Sequence, residues 1–187
     1  MIHSVRFTAV LDTNIIYPAI SRDILFWFAY YDLYTPKWSI HIFDEWKDVM
    51  VRKGVSEPEA EKRIGIANLA FPDAMVQNYE GLIEHLTLPD EKDRHVLAAA
   101  IKTNANIIVT NNIKDFPEEY LQSFSLRATT TDDFLTDIID LNPKQAVAAF
   151  RELVLNKKNP PLDEYQVLDR LRDIGLKDSA NYLHAMI

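Results

Sequence analysis

Four acidic residues in the first two-thirds of the chain stand beside apolar segments that should be buried, each at a turn or helix signal. They are Asp12, Glu45, Asp93 and Asp115. Asp12 ends the apolar run that begins at Phe7, where the sequence changes abruptly to Asp-Thr-Asn. Carboxylates that meet at the edge of a buried sheet repel one another unless a cation lies between them. Because oxygen is the ligand that hard cations prefer, a divalent-metal site is the first hypothesis.

Asp12 and Glu45 also have ordinary structural explanations. Asp12, Thr13 and Asn14 all favour turns and helix caps, so a cap explains the triplet as well as a metal ligand does. Glu45 follows the apolar pair Ile42-Phe43 on a predicted helix, and on its own it could be a solvated helix charge. Neither residue alone distinguishes a structural role from a role as a metal ligand.

Asp93 and Asp115 leave the same choice open. Asp90 is well placed as a helix N-cap, with Asp93 at the third helical position, where an acidic side chain offsets the helix dipole. Asp93 nevertheless leads directly into a small apolar face, Val96–Ala100, and so could point inward. Asp115 follows a polar turn and could be no more than a turn residue. His95 is predicted to be structural rather than a general base.

Composition excludes several other chemistries. The chain has 187 residues, enough for one domain with a core, or for one domain and a small appendage. The absence of cysteine excludes disulfides, thiolate metal sites and cysteine nucleophiles, and it fits a reducing cytosol. The sequence has no glycine-rich loop of the Walker or Rossmann type, which disfavours P-loop and nicotinamide chemistry.

The net charge of −8 comes mainly from residues 1–135, which hold 13 Lys and Arg against 20 Asp and Glu. This acidic balance argues against broad non-specific binding to nucleic acid. It leaves room for a nuclease whose acidic centre holds metal while a few local cations grip the substrate. Lys37 and Lys114 are candidate phosphate contacts. Trp38 is a candidate for stacking a base, although a tryptophan more often packs in a core.

No segment predicts a membrane protein. The longest apolar stretch, Ile24–Tyr31, is too short to span a bilayer, and the N-terminus lacks the pattern of a signal peptide. We therefore expect a cytoplasmic protein. The aromatic run Phe26-Trp27-Phe28 with Tyr30-Tyr31 is predicted to pack in the core, with a dimer interface as the alternative.

Short β-branched and aromatic runs alternate with helical patterns. The predicted strands cover about residues 5–11, 33–36, 106–110 and 125–129. The predicted helices run from Ser21 or Arg22 to Tyr31, from the N-cap Ser39 to Arg52 before Gly54, from a capping box at Ser56 to about Pro72, from Asp90 to Lys102, and onwards from a cap at Thr131. This alternation predicts a parallel sheet with helices on both faces and ligands outside the carboxyl ends of its strands.

The character of the chain changes near residue 140, so we predict a main domain over residues 1–138 and a helical extension over residues 139–187. A helix is expected from Asn142 to about Asn156, followed by a proline-broken linker. Two short helices separated at Gly175 come next. The residues predicted to share a buried face there are Val167, Leu168, Leu171 and Ile174.

Taken together, the acidic segments resemble the PIN-domain family, which includes the VapC-type toxins of bacterial toxin–antitoxin pairs. The specific segments are Val10–Asn14, Asp93–Ala100 and Ile108–Pro117, and the segment around Glu45 is a weaker match. The resemblance covers residues 5–135. The tail over residues 142–187 is similar to the helical extension of one VapC-like subgroup.

The resemblance implies a three-layer, flavodoxin-like α/β fold and a ribonuclease that depends on Mg²⁺ or Mn²⁺. Matched position by position, the catalytic and metal-binding acids would be Asp12, Glu45, Asp93 and Asp115. Some members carry an acid where Asn112 stands, so the fourth ligand is either Asp115, which we favour, or Asn112. The supporting residues would be Asp90 as an outer-sphere residue, with Thr13, Asn14 and Thr110 as hydrogen-bonding partners.

The resemblance also implies partners. RNA would be the substrate, a cognate antitoxin would hold a toxin of this class inactive, and a homodimer is common in the family. Two alternatives stay open: a catalytically silent PIN-like module that binds RNA or a protein partner, and a phosphatase of the wider α/β group. The phosphatase is disfavoured because Asp12 begins Asp-Thr-Asn rather than Asp-x-Asp.

Overall fold

The computed structural model describes residues 7–187, which form two compact units. In the described chain, the sheet unit comprises Phe7–Tyr17 and Thr35–Thr129, and the helical unit comprises Pro18–Tyr34 and Thr130–Ile187. The predicted domain boundary after residue 138 falls inside a helix of the helical unit, and it stays a prediction. No helix in residues 7–187 has the length and apolar character needed to cross a membrane.

The sheet has four parallel strands in the order β2-β1-β3-β4. They are β1 (Thr8–Leu11), β2 (Thr35–Lys37), β3 (Ile107–Val109) and β4 (Arg127–Thr129). All four predicted strands are present, with β2 displaced toward its carboxyl end and the others shorter than predicted. Residues 5 and 6 of the first predicted strand lie outside the described residues.

The position of β1 creates a crevice in this sheet. β1 pairs with β2 on one side and with β3 on the other. The connection after β1 therefore leads to one side of this strand, and the connection after β2 leads to its other side. In open parallel sheets, ligands bind outside the carboxyl ends of the strands at such a switch point. Leu11 ends β1 and Val109 ends β3, and both residues are fully buried. The polar residues that follow them therefore lie at the crevice.

Helices account for most of the remaining chain. In chain order they are α1 (Thr13–Ile16), α2 (Ala19–Tyr30), α3 (Ile40–Arg52), α4 (Glu57–Ala70), α5 (Glu80–Ile83), α6 (Arg94–Lys102), α7 (Glu118–Gln122), α8 (Thr131–Leu141), α9 (Pro143–Leu155), α10 (Glu164–Asp173) and α11 (Lys177–His184). Short 3₁₀ turns cover Glu91–Asp93 and Ile113–Asp115. The parallel sheet with its helices confirms the predicted PIN-like α/β fold, and the last helices confirm the helical extension.

Most predicted helix starts are close to the observed ones, but one predicted capping interaction is absent. Ser39 caps α3 as predicted, since its Oγ accepts a hydrogen bond from the Ile42 N–H at 3.3 Å. The capping box at Ser56 is wrong, because this side chain makes no capping hydrogen bond. Pro58 at the second helical position has no N–H to donate, and the Glu59 N–H at the third position, which a capping box uses, makes no bond to the Ser56 side chain. α8 is capped by Thr130 rather than Thr131.

α3 and α6 form much of the core of the sheet unit. α3 packs against α1, α4 and α6. Its buried face consists of Ile42, Phe43, Trp46 and Met50. α6 packs on β1 and β3, and its residues Ala98–Ala100 are fully buried, because small side chains let the helix lie close to the strands.

The helical unit is built from α2 and α8–α11. α2 packs against α9, and α11 packs against α8 and α10. Phe28 of α2 is fully buried, as predicted for a core residue, whereas Tyr30 is 67% exposed. The first three residues of the predicted face on α10 are buried, but Ile174 is 41% exposed. Ile174 lies at the C-cap, where the chain leaves the helix, so it no longer shares that face.

Candidate active site

Asp12 stands at the crevice beside the carboxyl ends of β1 and β3. Its backbone N–H donates to the Val109 carbonyl at 3.1 Å, which continues the pairing of the two strands by one residue. Thr110 follows β3 directly and is completely buried, and Asp12 is only 4% exposed. The topology therefore places a buried carboxylate and a buried hydroxyl side by side where ligands bind in such sheets.

The two oxygens of Asp12 are held by its neighbours. Oδ1 accepts from the Thr13 N–H at 2.6 Å, so Asp12 does cap α1. Oδ2 accepts from Asn14 Nδ2 at 2.6 Å and from Thr110 Oγ1 at 2.7 Å. Burial raises the pKa of Asp12, and the hydrogen bonds from Thr110 and Thr13 partly oppose that rise. The structural and the chemical explanation of the Asp-Thr-Asn triplet are thus compatible.

Glu45 reaches the same place from α3. Its Oε2 accepts from Thr13 Oγ1 at 2.5 Å, and its Oε1 lies 3.0 Å from His95 Nε2. Burial alone would raise the pKa of Glu45. The hydrogen bonds from His95 and Thr13, with the nearby charges of His95 and His41, outweigh burial and lower it. Thr13 therefore links the carboxylates of Asp12 and Glu45 through its N–H and its hydroxyl.

His95 belongs to a short chain of rings behind Glu45. Its ring stacks on His41, with 5.3 Å between centroids and 28° between planes. His41 Nδ1 in turn hydrogen bonds to the hydroxyl of Tyr79, which is fully buried. The sequence predicted a structural role for His95. In the structure, its ring orients the carboxylate of Glu45, a candidate site residue.

Asp93 ends the 3₁₀ turn that leads into α6. Its Oδ2 is buried and has no hydrogen-bond partner among residues 7–187. The pKa of Asp93 is raised to about 6 by burial and then by the surrounding carboxylates. In order of effect these are Asp12, Asp90, Asp115 and Glu45. The environment of Asp93 therefore disfavours its negative charge.

Asp90 and Asp115 both raise the pKa of Asp93 through their charges. Asp90 Oδ1 accepts from the Lys92 N–H at 2.9 Å and caps the turn, as predicted. Asp115 lies on the turn after β3 and acts on Asp93 through its charge. The Asn112 N–H donates to Thr110 Oγ1 at 3.0 Å, which ties this turn to the Asp12 site. The choice between Asp115 and Asn112 as fourth ligand stays a prediction.

A pocket of about 430 Å³ opens at this site. Its lining residues are Asp12, Thr13, Asn14, Tyr17, Glu45, Asp48, Val49, Arg52 and Asp93. Five of these residues were predicted as site residues from the sequence, and the other four were not. Three of the missed residues share a face of α3 with Glu45, at helical spacings of three, four and seven residues. That spacing was visible in the sequence and could have revealed them.

The predicted RNA contacts do not line this pocket. Trp38 is completely buried and stacks on Phe43 at 5.1 Å, so the prediction that it could stack a base is wrong. Its ring completes the core instead. Lys37 Nζ donates to the Asp73 carbonyl at 2.6 Å, and Lys114 is exposed on the turn after β3. Phosphate contacts by these two lysines stay predictions.

The acids are neighbours, but they do not form a finished metal cage. Among residues 7–187, no group of three or more His, Asp or Glu side chains is already gathered so as to hold a metal ion. The charges of Asp12, Glu45 and Asp115 nevertheless raise the pKa of Asp93. The acids therefore concentrate negative charge at the crevice, but among residues 7–187 their carboxylates are not already placed around a metal position.

Comparison with known proteins assigns the two parts of the chain separately. A PIN-domain family model matches residues 8–114, and a model described as the VapC50 C-terminal domain matches residues 131–185. A Mycobacterium tuberculosis (strain ATCC 25618 / H37Rv) protein named "Putative ribonuclease VapC50" is 41% identical over 80 residues, which cover 43% of this chain and 47% of that protein. The match thus spans about half the length of this relative, and no solved structure matches the chain. The chain belongs to the PIN-domain family, as a VapC-type member with a C-terminal extension.

Proposed function

We propose that this chain is a metal-dependent endoribonuclease that hydrolyses RNA phosphodiester bonds and serves as the toxin of a toxin–antitoxin pair. The observation that carries the proposal is the state of Asp93. Its carboxylate has a buried oxygen without a hydrogen-bond partner in residues 7–187, and surrounding carboxylates help to raise its pKa to about 6. A divalent cation would relieve both the repulsion and the unmet bonding capacity.

The donor chemistry fits Mg²⁺ or Mn²⁺, because hard cations take oxygen ligands and every candidate acid offers carboxylate oxygens. Asp12, Glu45, Asp93 and Asp115 would hold the ion, with Asn112 as the alternative to Asp115. When bound, such an ion lowers the pKa of a coordinated water and neutralises charge that develops on the phosphate. Asp93 has a buried oxygen that is still available, whereas both oxygens of Asp12 and of Glu45 already accept hydrogen bonds.

The chain's own residues prepare the site by fixing two carboxylates in advance. Thr13, Asn14 and Thr110 hold Asp12, and Thr13 and His95 hold Glu45. Groups that are locked before substrate arrives lose little freedom during reaction. We therefore assign Asp12 and Glu45 to fixed anchoring positions and Asp93 to the position that responds to the ion and substrate.

The assignment as a toxin draws on the PIN-domain membership and on the name of the relative, both given above. A cognate antitoxin would be the protein partner, and the excess of negative charge in residues 1–135 suits a basic partner segment. Action in the cytoplasm and assembly as a homodimer belong to the same proposal.

The test is RNA cleavage by the purified protein with Mg²⁺ or Mn²⁺, in the presence and absence of a chelator. Asp12→Asn should abolish most activity while its melting temperature stays near that of the wild type. Asp44→Asn is the matched control, because Asp44 is an exposed acid on α3 outside the pocket, next to Glu45. Cleavage that persists in Asp12→Asn or in chelator would refute the acidic-site assignment.

The same experiment separates the alternatives. Metal and RNA binding without cleavage would favour the catalytically silent module. Turnover of a small phosphomonoester, with RNA left intact, would favour a phosphatase instead.

A further inference from the structure

The pocket extends beyond the acids along one face of α3. Glu45, Asp48, Val49 and Arg52 line it in succession, while the opposite face of α3 is buried in the core. Seven residues of α-helix separate Glu45 from Arg52, which is about 10 Å along the axis. Arg52 is a cation without acceptor atoms, so it is not one of the metal-binding residues, yet it lines the same pocket.

Arg52 is the one basic side chain among the residues that line this pocket. It is exposed, and its Nε makes a long hydrogen bond of 3.4 Å to the Asp48 carbonyl. Among residues 7–187 it has no ion-pair partner, even though three other acids line the pocket with Asp48. Most donors of this guanidinium therefore remain open for an anion from outside the chain.

Arg52 has an ordinary alternative role, because a cation in the last turn of α3 offsets the helix dipole. Lys53 follows directly, is also exposed, and would serve the dipole equally well. Lys53 does not line the pocket, however. The two residues therefore share the structural role and differ in the one feature that matters for a ligand.

Tyr17 supplies an aromatic surface on the same pocket. It follows α1 directly and is partly exposed. A guanidinium that binds phosphate and a ring that stacks a base are the two elements with which proteins hold single-stranded nucleic acid. Val49 adds an apolar surface to the same pocket.

We propose that Arg52 and Tyr17 form a nucleotide subsite, in which Arg52 binds a phosphate next to the scissile one and Tyr17 stacks a base. This inference rests on the proposed ribonuclease function and names how its substrate is gripped. It explains how an acidic pocket can accept an RNA strand: the cation lies outside the metal-binding acids, where it attracts the backbone without displacing the ion. It also replaces Lys37, Trp38 and Lys114 as the principal predicted RNA contacts.

The test measures binding separately from cleavage. A fluorescent 2′-O-methyl RNA of about 12 nucleotides is titrated with protein by anisotropy, with Ca²⁺ in place of Mg²⁺ or Mn²⁺ and at several salt concentrations. Arg52→Gln should weaken binding about tenfold and lower the slope of log Kd against log salt by about 0.7. Lys53→Gln, which removes the same charge one residue away, should change neither quantity.

The ring contribution has its own matched pair. Tyr17→Leu should weaken binding about tenfold, whereas Tyr17→Phe, which keeps the ring, should bind like the wild type. Melting temperatures identify any variant that fails to fold.

The outcomes are distinct. Equal affinities for Arg52→Gln and Lys53→Gln, or no binding of the oligonucleotide by the wild type, would overturn the subsite. A loss of binding to an acidic protein partner but not to RNA on Arg52→Gln would overturn it too. If Arg52→Gln weakens oligonucleotide binding but the wild type never cleaves RNA, the subsite holds and the nuclease function fails.

Discussion

Asp132 in the helical unit and Asp93 in the sheet unit are both partly buried aspartates at the start of a helix. Asp132 accepts hydrogen bonds at 2.6 to 3.0 Å from the N–H groups of Asp178 and Ser179 and from Ser179 Oγ. Asp93 has a buried oxygen without a hydrogen-bond partner in residues 7–187, and acidic neighbours surround it. The first carboxylate finds its hydrogen bonds within the fold, whereas the second has a buried, unpartnered oxygen among like charges. This contrast separates a structural acid from a candidate catalytic one.

The largest expected difference between the two is in catalysis. Asp93→Asn should lower kcat for RNA cleavage by about 100-fold or more, because it removes the charge of a proposed metal ligand. Asp132→Ala should retain activity when it is assayed below its melting temperature. The measurement is kcat at saturating Mg²⁺. Similar losses of kcat in both variants would show that Asp93 has no special role in catalysis.

The next largest effect is on stability. Asp132→Ala should lower the free energy of unfolding by about 2 kcal/mol, because two backbone N–H groups and a hydroxyl lose their acceptor. Asp140→Ala on the same helix is the control. Asp140 is exposed near the carboxyl end of α8, so its removal should cost nothing. Urea unfolding measures both. A loss for Asp132→Ala no larger than the control value would show that this carboxylate does not hold the helices together.

Asp93→Asn should have the opposite effect on stability when metal is absent. Burial and neighbouring carboxylates raise the pKa of Asp93 from 3.8 to about 6 in the native state, so its ionisation destabilises the fold. The penalty is absent below about pH 4, grows as pH rises toward 6, and stays constant above that. We expect a gain of about 1–2 kcal/mol for Asp93→Asn at pH 7.5, which disappears near pH 4. Urea unfolding in chelator at both pH values tests this, and a pH-independent difference would contradict it.

The smallest expected effect concerns the support of Glu45. His95→Leu should lower kcat/KM about tenfold, because Glu45 loses one of the two groups that orient it. His95→Gln can still donate a hydrogen bond and should recover much of the activity. A merely structural role would make both variants unstable without this difference in rate. Equal kcat/KM values for His95→Leu and His95→Gln would show that the hydrogen bond from His95 does not support catalysis.

The sequence was sufficient to predict the elements that position Asp12 and Glu45, because strand ends and helix starts have local signals. The alternating strands and helices also imply where the carboxyl ends of β1 and β3 meet. The long-range bonds had no such signal. Glu45 and His95 are 50 positions apart, and Asp132 and Ser179 are 47 apart. Trp38 illustrates the same limit, because its burial is decided by packing against distant residues rather than by its polar neighbours in sequence.

Calorimetric measurement of Mn²⁺ binding at pH 7.5 is the most direct test of the proposal that the acids at the crevice bind a divalent cation. We predict a saturable isotherm for the wild type and for Asp44→Asn, and affinity at least tenfold weaker for Asp93→Asn. Absence of Mn²⁺ binding by the wild type, or identical isotherms for the wild type and Asp93→Asn, would contradict the account.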